Sequence, residues 1–410
     1  MDEVCDNVIR DGFSFSESSE VDIEFDTSWF GRNPDEYNHS LARFCSVYSM
    51  LGYYMPGPDS PEAPCALRNA LAKIGMKDIY AFSCTGREEV DYAFANRKIT
   101  VDSEEFTLVY CITVGSHREQ WYTNFDCGTG SIHKGFLKAR DFVYSGLTAY
   151  LKRINADKKS TKLLFSGHSR GGAAAGLLAS KIKYEEKIAS CNNVYAFTFA
   201  APYCVIKSEC EYCDSGIFNI INDEDFVTRC MPHKWGYERS GRNIILPNRK
   251  NCPGYDTLLE TVKVYYRKFN NGTKEFYPYK KSTETVEKLF DKIVSREKSA
   301  DDYYGKKLRF MKEKITLFEF FSRTLCGIVG NTAGTKENKD ATTLLVKTFL
   351  KRLSCDELFV SVADFFMIYE GIAGVTKNII SKNYFSLAHD ISAYCAYMMV
   401  SDEAVLIKEW

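Results

Sequence analysis

The chain has 410 residues, 45% of them hydrophobic and 14% aromatic, enough to bury a large core in one long unit or in two to three domain-sized ones. Its 53 basic and 54 acidic residues leave a formal net charge of −1. With no basic stripe interleaved with aromatics, this argues against nucleic-acid binding and against electrostatic attachment to anionic membranes.

Residues 1–22 are acidic and show neither a basic n-region nor an apolar h-region. They predict no secretory signal and a cytoplasmic location. No uninterrupted run of about 18 apolar residues offers a transmembrane segment. The best stretch, residues 358–375, carries Asp364 and Glu370 and reads as a buried or amphipathic helix. The 15 cysteines are odd in number and many sit in apolar text, such as Cys84, Cys111 and Cys395. They read as small buried hydrophobes in a reducing compartment. Cys204, Cys210 and Cys213 contain one C-x-x-C, but adding Cys230, His233 and Cys252 gives no zinc-ligand spacing, so no metal site is expected.

Residues 1–33 read as irregular. Residues 36–55 and 65–75 have helical apolar spacing, the second stopping at Gly75, with a Pro-rich loop between them. Strands are expected at 79–84 and 106–115, an amphipathic helix at 135–154, a strand at 161–167 and a helix of small residues at 171–184. Two more strands follow in NNVYAFTFAAP and GIFNIINDED. Strand–helix alternation of this kind predicts a mostly parallel sheet with helices on both faces. Beyond about Gly254, residues 280–325 and 340–382 are Lys/Glu-rich with helical periodicity. The expected organisation is an α/β core over 1–250 with an N-terminal helical segment, a helical insertion over 251–382, and a return to the core over 383–410.

The chemistry centres on LLFSGHSRGGAAAGLLAS. Gly167, Ser169 and Gly171 make a G-x-S-x-G set between a β-rich run and a helix of small residues. That setting is what a nucleophile elbow needs: a tight turn that projects a serine from the start of a helix, in an α/β-hydrolase fold. The backbone N–H of Arg170 then faces the place where an oxyanion would form. A serine hydroxyl needs a histidine base oriented by a carboxylate, and in this fold the chain order is Ser, acid, His. GIFNIINDED supplies Asp223, Glu224 and Asp225, and two histidines follow, His233 and His389. Spacing alone leaves both choices open. His168 beside the serine reads as structural, its side chain expected to point away from the active face.

These residues resemble the class 3 lipases, the fungal-type triacylglycerol lipases and their bacterial relatives. S-G-H-S-R-G-G-A-A-A is similar to the family elbow. CITVGSHREQWYTNF, HKGF, FTFAAP, INDEDFVTRCMP and FSLAHDISAY are similar to further family blocks in the same order. The resemblance implies Asp225 as the acid, His389 as the base and Ser116 as a second oxyanion donor beside Arg170. Arg170 replaces a usual Leu, and its side chain is expected to reach an acyl carboxylate or a nearby acid. The resemblance also implies an ester or lipid substrate, acylglycerol-type, cleaved through an acyl-enzyme with no cofactor. The separation of Asp225 from His389 makes the insertion a cap or pocket wall in expectation. A phospholipase, a short-chain esterase and a catalytically silent lipase-like binding module remain the alternatives.

Overall fold

The computed structural model describes residues 8–14, 20–57, 63–84, 86, 88–115, 120, 123–124, 128, 130–209, 214–229, 236–276, 307–310, 313–316 and 388–409. Strands β1 (Val8–Ser14) and β2 (Glu20–Asp26) form an antiparallel hairpin, which corrects the irregular reading of residues 1–33. The reason lies in EVDIEFD: Val21, Ile23 and Phe25 alternate with acids and are all buried, the period of a half-buried strand. Helix α1 (His39–Leu51) starts where Asn38 Oδ1 accepts the Leu41 N–H at 3.0 Å. Helix α2 (Ala66–Lys73) ends just before Gly75, whose φ of +75° is the left-handed conformation that stops helices.

Strand β3 (Lys77–Phe82) is followed by β4 (Asp91–Val101) and β5 (Glu104–Val114). The sequence does not predict β4, because Asn96, Arg97 and Lys98 break its apolar pattern. It forms because it pairs with β5 along its whole length. The two-residue turn Asp102–Ser103 has positive φ at both positions, the twist a tight hairpin prefers. Then come α3 (Lys134–Arg153), β6 (Thr161–His168), α4 (Arg170–Glu185), β7 (Val194–Phe199), the short β8 (Val205–Ile206), β9 (Ile217–Ile221), the short β10 (Tyr237–Glu238) and β11 (Arg242–Ile245).

Within the expected insertion, α5 (Tyr255–Phe269) is helical. Residues 307–310 and 313–316 depart from the helical reading of 280–325: β12 (Lys307–Phe310) and β13 (Glu313–Thr316) pair antiparallel. The first strand's text, KLRF, alternates polar with apolar, a strand period embedded in a charged stretch. The rest of 280–325 and all of 340–382 lie outside the described residues. Helix α6 (Ile391–Val400) and strand β14 (Ile407–Glu409) complete the order.

Eight strands form one sheet in the order β14-β11-β9-β7-β6-β5-β4-β3. The block β5-β6-β7-β9-β11 is parallel, and the edges are antiparallel. Alternation along the central strands divides the core between two faces. Leu108, Tyr110 and Ile112 of β5 join the cluster shared with α1, α2, α5 and α6. Val109 and Cys111 join the cluster shared with α3 and α4. This is a mostly parallel sheet flanked by helices on both faces, the α/β-hydrolase architecture. No described helix is long and apolar enough to cross a membrane.

Candidate active site

The C-terminal ends of the parallel strands gather the site, where open α/β sheets bind their ligands. β6 runs into α4 through a single residue, Ser169. Its φ of +58° and ψ of −129° lie in a region that favours glycine, so the turn stores strain. Two glycines make the turn sterically possible. A Cβ at Gly167 would stand 2.5 Å from Thr113 Oγ1, and one at Gly171 would stand 2.3 Å from the Thr113 carbonyl oxygen. The close approach to β5 is then locked, since Thr113 Oγ1 donates to the Gly171 carbonyl at 2.7 Å. The Ser169 N–H donates to the Phe199 carbonyl at the end of β7, 2.9 Å away.

Ser169 Oγ lies 2.8 Å from His389 Nε2, and His389 Nδ1 lies 2.8 Å from Asp225 Oδ2. A carboxylate only accepts, so Nδ1 carries the proton and Nε2 receives the serine O–H. Three residues spread over 220 positions thus make one hydrogen-bonded chain. Asp225 follows β9 and is fully buried. Its Oδ1 accepts the Val227 N–H at 2.9 Å and its Oδ2 the Tyr394 hydroxyl at 2.7 Å. His389 precedes α6, and the side-chain amide of Asn222 donates to the adjacent Ala388 carbonyl at 3.1 Å.

His168 is not turned away from this group. Its Nε2 lies 2.9 Å from the His389 carbonyl oxygen, its Nδ1 lies 2.6 Å from the Tyr53 hydroxyl, and its ring centroid is 4.9 Å from that of His389. Burial, reinforced by His389, pushes its pKa well below the ordinary histidine value. Elbow geometry alone sends this side chain to the far side of the turn. In the structure the His389 main chain crosses that side, and no local motif announces it. Tyr394 as a donor to Asp225 is likewise silent in the sequence, where only its spacing from His389 in FSLAHDISAY hints at a role.

The Arg170 side chain is buried. Nε donates to the Glu89 carbonyl at 3.1 Å, Nη1 to Asn124 Oδ1 at 2.9 Å and Nη2 to the Gly135 carbonyl at 3.0 Å. Gly115 lies directly over it, since a Cβ there would meet Arg170 Cβ at 2.9 Å. Burial lowers the arginine pKa to about 10. The guanidinium therefore braces three chain segments. His133 of the HKGF block is also structural: its ring stacks on Phe136 at 4.1 Å and its Nδ1 accepts the Phe136 N–H at 3.4 Å. Ser116, His117, His233, Cys210, Cys213 and Cys230 lie outside the described residues. Cys204 and Cys252 are free thiols.

Residues 103–235 match the sequence model of the class 3 lipase family. The matched span holds Ser169 and Asp225 and stops short of His389. No curated protein matches the chain. Among solved structures, it is similar to a triacylglycerol lipase described as having a serine-protease triad at its catalytic centre (19% identity over 52% of this chain and 83% of that one, TM-score 0.38). It is also similar to the lipase–propeptide complex of Rhizomucor miehei (18%, 58% and 79%, TM-score 0.37). The lipase of Rhizopus microsporus var. chinensis gives 17% identity, 53% and 77% coverage and a TM-score of 0.35.

Proposed function

We propose that this chain is a serine carboxylic-ester hydrolase acting on lipid or acylglycerol-type esters, with Ser169 as nucleophile, His389 as general base and acid, and Asp225 as its orienting carboxylate. The class 3 lipase match supports a lipase-type serine hydrolase activity in general. The observation that carries the finer reading is the pair of 2.8 Å contacts from His389 to Ser169 and to Asp225. They join residues from the ends of β6 and β9 and from the start of α6.

In the proposed cycle His389 Nε2 takes the Ser169 proton as Oγ attacks the ester carbonyl. The backbone N–H groups of Arg170 and Ser116 hold the oxyanion, each such donor worth about 3 kcal/mol. His389 then returns the proton to the departing alcohol, and water releases the acyl group by the same route. Asp225 keeps the proton on Nδ1 and stabilises the imidazolium as it forms. We propose further that residues 251–382 form a cap or wall beside the acyl site.

The test is the rate of p-nitrophenyl ester hydrolysis and of fluorophosphonate labelling in Ser169→Ala. Both are expected to vanish while circular dichroism stays that of the folded chain. Turnover at the parent rate in that variant rules the assignment out. A chain-length series of p-nitrophenyl esters, with and without micelles, then separates lipid esters from short soluble ones.

A further inference from the structure

His389 stands 164 positions beyond Asp225 and belongs to no strand of the sheet, so its ring depends on local anchors. One of them is the residue next to Ser169. We infer that His168, itself held by Tyr53, is a positioning residue for His389: it grips the His389 main-chain carbonyl and so sets the imidazole over Ser169. The inference rests on reading Ser169 and His389 as nucleophile and base.

The hydrogen-bond pattern leaves one assignment. A carbonyl oxygen only accepts, so His168 Nε2 must donate to the His389 carbonyl at 2.9 Å. In a neutral ring Nδ1 is then an acceptor, and the Tyr53 hydroxyl donates to it at 2.6 Å. Burial keeps that hydroxyl protonated, since it raises the tyrosine pKa. Tyr53 therefore selects the tautomer that allows His168 to hold His389, the service a second partner commonly performs for a functional imidazole.

The anchor is stiff because of where it sits. His168 closes β6 and pairs with Val114 of β5 on one side and Phe199 of β7 on the other. The main chain carrying the base is thereby referenced to the strand that carries the nucleophile. The rings lie 4.9 Å apart at 39°, so His168 also walls one side of the imidazole. A neutral neighbour is the one such a place tolerates, because a second positive charge would oppose the imidazolium that forms on His389. Misplacement by an ångström is costly where a proton must pass between two fixed atoms.

The test uses the full chain, with p-nitrophenyl butyrate hydrolysis and the rate of fluorophosphonate labelling as readouts. His168→Ala, His168→Gln and Tyr53→Phe are made in the parent and in a His389→Ala background. In the parent, His168→Ala is expected to lower kcat and the labelling rate about 30-fold to 100-fold, with KM within about threefold. His168→Gln, whose amide nitrogen can reach the place of Nε2, is expected to return the rate to within about fivefold, and Tyr53→Phe to cost about three- to tenfold. In the His389→Ala background none of the three is expected to change the residual rate, because a residue acting through His389 has nothing left to act on. A His168→Ala rate within about twofold of the parent overturns the inference, as does an equal loss in both backgrounds. Should His168→Ala fail to fold by circular dichroism, Tyr53→Phe decides by the same comparisons. Failure of the underlying reading is seen separately, as full labelling in Ser169→Ala, and overturns both.

Discussion

Tyr394 donates its hydroxyl to Asp225 Oδ2, the same oxygen that faces His389 Nδ1. The carboxylate is thus held twice from the start of α6, by a residue just before the helix and by one inside its first turn. A hydrogen bond to a charged group is worth about 1.5–3 kcal/mol, more than a neutral one. Tyr394→Phe keeps the ring in the core and removes that donor together with the oxygen that accepts the Asn222 N–H at 3.2 Å. It is expected to lower kcat/KM about tenfold and the free energy of unfolding by about 1–2 kcal/mol. Steady-state kinetics and urea titration check both, and a variant unchanged in both would show the contact to be idle.

Asp225→Asn tests the carboxylate as an orienting group rather than as a space-filler. The amide can donate to His389 Nδ1 and so hold the ring in the wrong tautomer. The expected result is a kcat lower by about 10⁴ with little change in KM. A loss confined to KM would move Asp225 from the proton path to substrate binding.

The backbone at Ser169 gives a prediction about stability. Ser169→Ala and Ser169→Gly both remove the hydroxyl, but only glycine relaxes a residue held at φ +58°. The glycine variant is expected to be the more stable of the two by about 1 kcal/mol, with both inactive. Thermal melts of the pair read this directly. Equal melting temperatures would mean that the turn carries no strain.

Three wholly or partly buried histidines set a pH dependence. His39, His133 and His168 all have pKa values lowered by burial, that of His133 to about 3 with Arg170 adding to the effect. The unfolded chain takes up a proton on each near its ordinary value, about 6.5, and the folded chain refuses it. Acid therefore draws the equilibrium toward the unfolded state. Their contribution is complete above about pH 6.5 and lost as the pH falls, each group giving a slope of up to about 1.4 kcal/mol per pH unit. For His133 the window runs down to about pH 3. His133→Asn, which still offers a side-chain oxygen to the start of α3, is expected to remove about one such slope from urea titrations between about pH 4 and 6.5. An unchanged slope would contradict a neutral, buried His133.

Much of the fold is legible in the sequence because periodicity reports burial. β5, β6, β7 and β9 are apolar enough to read as buried strands, and α3 shows its stripe. β4 is not legible because its charged middle residues match no strand period, and its pairing partner rather than its own text makes it a strand. The β1–β2 hairpin is hidden by the acidic tone of the surrounding residues. At the site, Ser169 is visible from local steric requirements, as glycines at 167 and 171 have a clear use only in a tight turn. Spacing cannot choose between His233 and His389 or among Asp223, Glu224 and Asp225, because that choice is made by long-range contacts. Asn222, Tyr394 and His168 make those contacts. The course of the Arg170 side chain is unreadable for the same reason: among the described residues, two of the groups it donates to are main-chain carbonyls, which any residue type supplies.

The distance along the chain from Asp225 to His389 bears on when this molecule gains its chemistry. With Ser169, Asp225 and His389 as the working trio, a growing polypeptide already holds hydroxyl and carboxylate while its imidazole has yet to be synthesised. At about 5–20 residues per second, the intervening stretch takes roughly ten to thirty seconds to add. For that interval the nascent chain is inert toward esters, and it is armed only when its distal portion comes home.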